Sequence, residues 1–389
     1  MQATVTIKVK LSIADEGIAA IEATQAAYVT ALNLTSDVAY DKQCKNAVAL
    51  HHLTYQTVRE RTGLPSNLVC SARAVVSEAY KREMKHHLFG PHVAVRYDER
   101  TLTLDIAREY ATLSTLSGRV RVGLILSDYH RQYLDGRWMI AHTAALKQKN
   151  RVWYLHLTLT REIPDARGPE TIGVDSGIKR VATVNTGKVF KGGRIKQLRR
   201  RRFHQRRSLK RHSEGQSRSR NRRRLLKRLS EREKRAVEWM LWNIANEIVR
   251  EAIKANASAI AVEDLKHIRE RIRVAKKQRL IQHGWPFSSL IAKIRHVASK
   301  AGIRVIEVDA RNTSKRCSRC GHCDRGNRKS QSDFRCLRCG YSHNADLNAS
   351  FNIRHRHVCD GCAASKPARE CPPPDGCCVR SRQGKAATL

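Results

Sequence analysis

Two Cys-x-x-Cys knuckles carry the plainest chemistry in the chain: Cys317 and Cys320 in CSRC, then Cys336 and Cys339 in CLRC, with fifteen residues between the pairs. Four thiolates at this spacing match a tetrahedral zinc ribbon, and Gly321 and Gly340 permit the turn after each knuckle. One short loop later comes the carboxylate of Asp346, while two earlier acids, Asp175 and Glu263, end apolar runs that read as strands. Carboxylates hold Mg2+ and leave coordination positions for phosphate oxygens and water. Three that converge can hold two cations about 3.5–4 Å apart, which activate water and stabilise a leaving oxygen in phosphodiester hydrolysis. In that arrangement Asp175 bridges both ions, and Glu263 and Asp346 complete one site each. Read singly, each acid fits a turn or cap residue at least as well. Their joint placement argues for a metal-dependent nuclease.

Composition points the same way. The chain has 389 residues and a formal net charge of +40, from 75 Lys and Arg against 35 Asp and Glu, so its default partner is a polyanion. No long apolar run and no signal-peptide core follow Met1, which predicts a soluble, intracellular protein with no membrane partner. Ten of the twelve cysteines lie after residue 316, mostly in close pairs, which favours metal thiolates in a reducing compartment over disulfides. Cys44 and Cys70 fall in helical stretches and read as buried hydrophobes. His322 and His343 flank the knuckles; with four cysteines available they read as surface or supporting residues.

Between Lys191 and Arg235 nearly half of the residues are Lys or Arg, opposed only by Glu214, Glu231 and Glu233. Such a run is either a solvated charged face or a phosphate-binding one. Leu198, Phe203, Leu209, Leu225, Leu226 and Leu229 interrupt it at spacings that fit two helices, which favours the second. The candidate contacts are Arg199, Arg200, Arg201, Arg202, Arg206, Arg207, Arg222, Arg223, Arg224 and Lys227. Their affinity should fall steeply with salt. Aromatics make up only 5% of the chain, which argues against a surface built mainly to stack single bases.

These groups need a scaffold. Residues 1–12 alternate as a half-buried strand, 13–91 read as a helical block, and 92–168 return to period two, as in WYLHLTL at 153–159. The helical block therefore interrupts a small β-barrel whose first strand is the N-terminal one. Gly63–Ser66 supplies a helix stop and then Ser66 as the next N-cap. From residue 169 to 310 a strand ends at Asp175, a hairpin turns at Asn185–Gly187, a helix spans about 231–255, and ASAIAVEDL forms a buried strand ending at Glu263. The basic helical segment, 191–235, lies within this stretch. The ribbon, 311–342, precedes the closing segment, 343–356. The tail, 357–389, holds Cys359, Cys362, Cys371, Cys377 and Cys378 amid prolines; it reads as a disordered extension or a second zinc site.

GVDSGIK, VEDL, the CSRC and CLRC ribbon with HNADLNASFNI, and the WPFSSLIAKIRHVASKAGI helix resemble the nuclease half of the TnpB proteins of insertion sequences, relatives of type V CRISPR nucleases. The resemblance covers about 171–354, with acids, ribbon and helix in the family's order; the N-terminal half matches in plan only. It implies an α+β multidomain chain with an RNase H-like (RuvC-like) nuclease domain interrupted by a zinc ribbon. It also implies a guide RNA from the element's own end and cleavage of double-stranded DNA beside a short adjacent motif. Asp175, Glu263 and Asp346 match the family's catalytic positions. The expected cofactors are two Mg2+ (or Mn2+) ions and one structural Zn2+, with a monomer favoured. Cys323 beside the first knuckle and the tail cysteines depart from the pattern and leave the thiolate set more open than the acids. Alternatives are a compact type V CRISPR effector, a guided repressor without cleavage, and an unguided zinc-ribbon DNA-binding protein.

Overall fold

A computed structural model describes residues 1–211, 220–265 and 287–360. The chain divides into two compact units, one of Gln2–Glu162 and one that starts at Ile163 and includes Met1.

In the first unit, β1 (Gln2–Ser12) buries every second residue, so that Val5, Ile7, Val9 and Leu11 face one core. Three helices follow, α1 (Asp15–Asp41), α2 (Ala47–Thr62) and α3 (Ser66–Arg82). Asn46 caps α2, its side chain accepting from the backbone N–H groups of Val48 and Ala49, and Gly63 ends the helix at φ 66°. Ser66 is not the N-cap of α3: Pro65 holds that position and Ser66 is the first helical residue, because proline's fixed φ and missing N–H suit a helix entrance. Cys44 lies between α1 and α2 rather than inside a helix, and both it and Cys70 are only half-buried.

The remaining strands are β2 (Val95–Asp98), β3 (Leu102–Asp105), β4 (Tyr110–Thr115), β5 (Gly118–Ile125), β6 (Met139–Lys149) and β7 (Val152–Glu162), with the four-residue helix α4 (Asp128–Arg131) between β5 and β6. With β1 they make a seven-stranded antiparallel sheet in the order β2-β6-β7-β1-β5-β4-β3, barrel-like and nearly closed. The N-terminal strand sits at its centre, paired over nine residues with β7 and then with β5. The helical block is thus an insertion between the first strand and the rest of the sheet.

The second unit is built on a five-stranded sheet of mixed direction, ordered β10-β9-β8-β11-β12. Its strands are β8 (Glu170–Asp175), β9 (Arg180–Val184), β10 (Val189–Lys191), β11 (Ala257–Asp264) and β12 (Arg304–Asp309). The first three run antiparallel, whereas β8, β11 and β12 are parallel. One face packs on α6 (Arg220–Lys254) and α7 (Phe287–Ser299) through Ile172, Val174, Ile260 and Val262. The basic helix α5 (Gly193–Arg211) precedes α6. The other face takes α8 (Ala345–Asp360), whose Ile353 meets Ala261 and Val308. Between β12 and α8 sits the ribbon, with a hairpin of β13 (Asp333–Arg335) and β14 (Ser342–Asn344). The first basic helix covers the first part of the 191–235 run, and α6, which carries the rest of its described residues, begins well before the helix expected from about 231. Of the expected tail, residues 361–389 lie outside the described residues, as do 212–219 of the basic segment and Trp285 and Pro286 of the resemblance.

Gly173 is where α8 meets the sheet. A Cβ there would lie 2.0 Å from the Ser350 carbonyl oxygen and 2.7 Å from the Arg354 amide nitrogen, so only hydrogen allows the helix backbone this close. Its own amide donates to Asn185 Oδ1 at 2.8 Å, and its carbonyl accepts from Asn185 N. Gly173→Ala should cost at least about 2 kcal/mol, because backbone rather than a movable side chain must give way. Thermal melting tests this, and a variant as stable as the parent would refute the steric account.

Candidate functional site

The parallel strands β8 and β11 deliver two acids to the same end of the sheet. Val174 pairs with Val262 in register, which makes Asp175 and Glu263 the next residues on adjacent strands. Asp346 reaches them from the first turn of α8, where Asn344 caps the helix by accepting from the backbone N–H groups of Asp346 and Leu347. A helix N-terminus favours a carboxylate there.

Electrostatics registers this convergence. Burial, and then the nearby charges of Glu263 and Asp346, push the Asp175 carboxyl well above the usual carboxylate range, opposed by Arg328 and the Ser176 amide. Glu263 is 8% exposed, and burial raises it too, against a 2.6 Å hydrogen bond from Thr313 Oγ1 and the charges of Arg356 and Arg328. Asp346 is held between two arginines: Arg180 Nη1 lies 3.4 Å from one carboxylate oxygen and Arg328 Nη2 3.4 Å from the other. Arg180 also donates to Asn344 Oδ1, and Arg328 to the Gln331 carbonyl at 2.9 Å. Among the described residues, the three acids do not gather as tightly as the ribbon thiols do. Like charges repel, and guanidinium groups serve as their counter-ions. Three converging, partly buried carboxylates are the donor set that divalent cations take, so the residues fit Mg2+ or Mn2+.

The four ribbon cysteines, Cys317, Cys320, Cys336 and Cys339, form a group whose sulfurs all lie within 4.8 Å of one another. Two pairs stand 3.7 and 3.5 Å apart, against about 3.8 Å between thiolates on a tetrahedral zinc with 2.3 Å bonds. Each knuckle closes alike: Cys317 N donates to His322 O and Gly321 N to Cys317 O, matched by Cys336 N to Tyr341 O and Gly340 N to Cys336 O. Gly321 and Gly340 sit at φ 74° and 70°, the left-handed turn that glycine adopts without strain. Burial pushes the Cys317 thiol up to about 12, while the Tyr341 amide draws Cys339 down to about 7. Cys323 is exposed and outside the group, and His322 and His343 are outside it too.

Two buried asparagine amides fasten the ribbon to α8, and a third braces the ribbon itself. Asn348 Oδ1 accepts from Ser318 N at 2.9 Å, and its Nδ2 donates to Arg316 O at 2.8 Å. Asn352 donates to the carbonyls of Thr313 and Arg316, one turn further along. Inside the ribbon Asn327 donates to Lys315 O and His322 O and accepts from Leu337 N. Sequence reading passed over these amides, although Asn344, Asn348 and Asn352 recur every four residues. It also passed over Arg180, Arg328 and Thr313. Arg180 directly follows the GVDSGIK motif, but nothing distinguished Arg328 among 75 basic residues.

The ten basic candidates fall into two groups. Arg200, Arg201, Arg207, Arg223, Arg224 and Lys227 are exposed along α5 and α6, whereas Arg199, Arg202, Arg206 and Arg222 are partly buried. Arg206 bonds Glu233 across the two helices and Arg202 bonds Gln205. Arg199 and Arg206 line a cleft with Glu233 and Lys234, and burial lowers the pKa of the Arg199 guanidinium.

Two family models match: residues 154–269 a probable transposase model, OrfB_IS605, and residues 287–353 the Cas12f1-like TNB domain. The chain is 32% identical over 253 residues to the CRISPR-associated endodeoxyribonuclease Cas12f1 of Syntrophomonas palmitatica, covering 60% of this chain and 48% of that protein. It is 35% identical over 130 residues to a TnpB-like protein of Methanocaldococcus jannaschii, covering 33% and 46%. The chain thus matches less than half the length of either relative. A solved chain of a Cas12f1–sgRNA–target DNA complex superposes at TM-score 0.65 and 15% identity, over 91% of this chain and 99% of that one. That likeness defines the fold as that of the compact Cas12f effectors. In sequence the chain is similar to TnpB-like proteins over part of their length.

Two outcomes test the site. Because Asp175 and Glu263 bind protons more firmly folded than unfolded, stability in divalent-free buffer should fall as pH rises above the ordinary carboxylate range. Asp175→Asn removes one such group, so its melting temperature at pH 8 should exceed the parent's by about 2 °C or more, with a flatter pH profile. An unchanged profile would show that these carboxyls do not repel one another. Cys336→Ser should strip the protein of one equivalent of zinc as read by metal analysis, since three thiolates hold the ion far less tightly. Full retention would disprove the ligand set.

Proposed function

We propose that this protein is an RNA-guided DNA endonuclease that cuts double-stranded DNA beside a short adjacent motif. The observation that carries the reading is the convergence of Asp175, Glu263 and Asp346 from β8, β11 and α8, next to a four-cysteine ribbon hydrogen-bonded to the helix that bears Asp346. A sheet of three antiparallel strands continued by two parallel ones, with helices on both faces, is consistent with an RNase H-like (RuvC-like) nuclease. Support for the partners comes from the likeness to Cas12f1, whose solved chain is bound to sgRNA and target DNA, and from the net charge of +40. Base pairing would read the sequence while the protein senses backbone geometry and charge.

In this reading Asp175, Glu263 and Asp346 hold Mg2+ or Mn2+. Such ions, when bound, supply activation of water and stabilisation of charge on the departing oxygen, leaving 3′-hydroxyl ends. The chain's own contribution is positional. Adjacent strand ends fix two of the acids, and Thr313 holds Glu263 by its hydroxyl. Arg180 and Arg328 neutralise Asp346 in the resting arrangement, and beside these acids a guanidinium would stabilise charge developing on a phosphate. The ribbon's Zn2+ is structural. The Cas12f1 identity favours one further reading with the same chemistry, a compact type V CRISPR effector, which a repeat array beside the gene would distinguish.

The test is cleavage of a target-matched plasmid library by the full chain purified with RNA from its own locus, with and without Mg2+. Wild type should cut in a guide- and metal-dependent way. Asp175→Ala should retain RNA and target binding while losing at least about 100-fold in rate, because a ligand is removed without touching the basic surface. Cutting at the parental rate would overturn the active-site assignment. Guided binding by the wild type without any cutting would leave a repressor, and no dependence on RNA would leave an unguided ribbon protein.

A further inference from the structure

One face of α6 belongs to neither the core nor the carboxylate site. At 100° per residue, Arg228, Arg232, Arg235, Trp239, Asn243, Asn246 and Arg250 fall within about 40° of a single line along the helix, and all are exposed. The buried residues Val237, Leu241, Ala245, Ile248 and Ala252 occupy the opposite side. No acid lies on the line; Glu231 and Glu247 flank it, and Glu247 pairs with Arg250 and Lys188. Trp239 is 65% exposed, in contrast to Trp242 three residues on, which is half-buried, packs against His296 and has Lys293 over its ring.

The exposed indole lies opposite the buried apolar side of the helix, and the other exposed apolar residues on the line, Leu225 and Ile253, stand about 21 Å away toward the helix ends. Its neighbours on the line, one turn away on each side, are Arg235 and Asn243. A protein-binding site would ring such a residue with apolar side chains. Here it stands in a cationic, amide-rich field. Arg228, Arg232 and Arg235 recur within about 10 Å of helix length, a spacing that suits consecutive phosphates. Indole is a stacking platform for any base, worth about 1–3 kcal/mol per base. Intact B-form DNA offers no base face to such a platform, because its bases are stacked within the duplex. RNA presents unpaired bases in loops and ends.

We infer that this face of α6 is an RNA-binding surface on which Trp239 stacks an unpaired base while Arg228, Arg232 and Arg235 hold the adjoining phosphates and Asn243 and Asn246 contact base or sugar edges. The assignment deepens the RNA-guided reading and rests on it for the presence of an RNA.

The experiment measures binding of the full-length protein to a fluorescein-labelled 20-nucleotide oligoadenylate RNA and to a blunt 20-base-pair DNA duplex, at fixed salt. Trp239→Ala should weaken the RNA complex about tenfold, the effect of losing one stacked base, and leave the duplex within twofold. Trp239→Phe should keep most of the affinity. With unlabelled RNA, the quenching of intrinsic tryptophan fluorescence seen in the wild type should disappear in both variants. Equal RNA affinity in wild type and Trp239→Ala, or an equal loss for RNA and duplex DNA, would overturn the inference. Melting temperatures of the variants, expected to match the wild type, exclude a folding defect. A wild type that binds its locus RNA and cuts under guidance, alongside an indifferent Trp239→Ala, would sink this assignment alone. A wild type that binds no RNA would sink the guided reading with it.

Discussion

The second unit depends on one contact that tolerates no side chain. At Gly173, two residues before Asp175, the backbone of α8 lies directly on β8, closer than any Cβ permits, and the first turn of that helix carries Asp346. This contact sets the distance from one acid to another. Strand pairing fixes Asp175 against Glu263 in the same way, through the register of Val174 with Val262. Three charges that repel one another are thereby held by parts of the fold that cannot relax locally. Their mutual repulsion is offset by Arg180, Arg328 and the Thr313 hydroxyl. A site of this kind stores unfavourable electrostatics against the arrival of cations.

Much of this could be read from the chain. The acids were visible because apolar runs such as TIGV and AIAV stop at a carboxylate, and a strand that ends this way projects its last side chain beyond the core. The ribbon was visible because four thiols at fixed spacing, each pair followed by glycine, have few other uses. Both glycines adopt the left-handed conformation that the knuckle demands. The barrel strands followed from strict alternation, clearest in β7.

What stayed hidden lacked a local pattern. Gly173 resembles any glycine in a strand until the helix that lies on it is known, and that helix is 172 residues away in sequence at its start. Arg180 and Arg328 act through where they end up, not through what surrounds them in sequence. The second basic helix and the helix expected from about 231 are one continuous α6, which starts about three turns before 231, because arginine supports a helix without marking a buried face. Ser66 drew the N-cap role that Pro65 fills, since both residue types favour a helix entrance and only the backbone decides between them.

The asparagines that bind the ribbon to α8 have a consequence for how this region can be inherited. Asn348 and Asn352 make their hydrogen bonds to backbone groups of Thr313, Arg316 and Ser318, so the specificity lies in helix placement and not in ribbon side chains. Any ribbon that presents the same run of peptide groups could be exchanged for this one, provided that the helix travels with it. A cut at the apparent seam after residue 342 would separate the amides from their carbonyls. Ribbon and helix therefore form a single cassette, within which ribbon sequence is free to diverge while its backbone path is not.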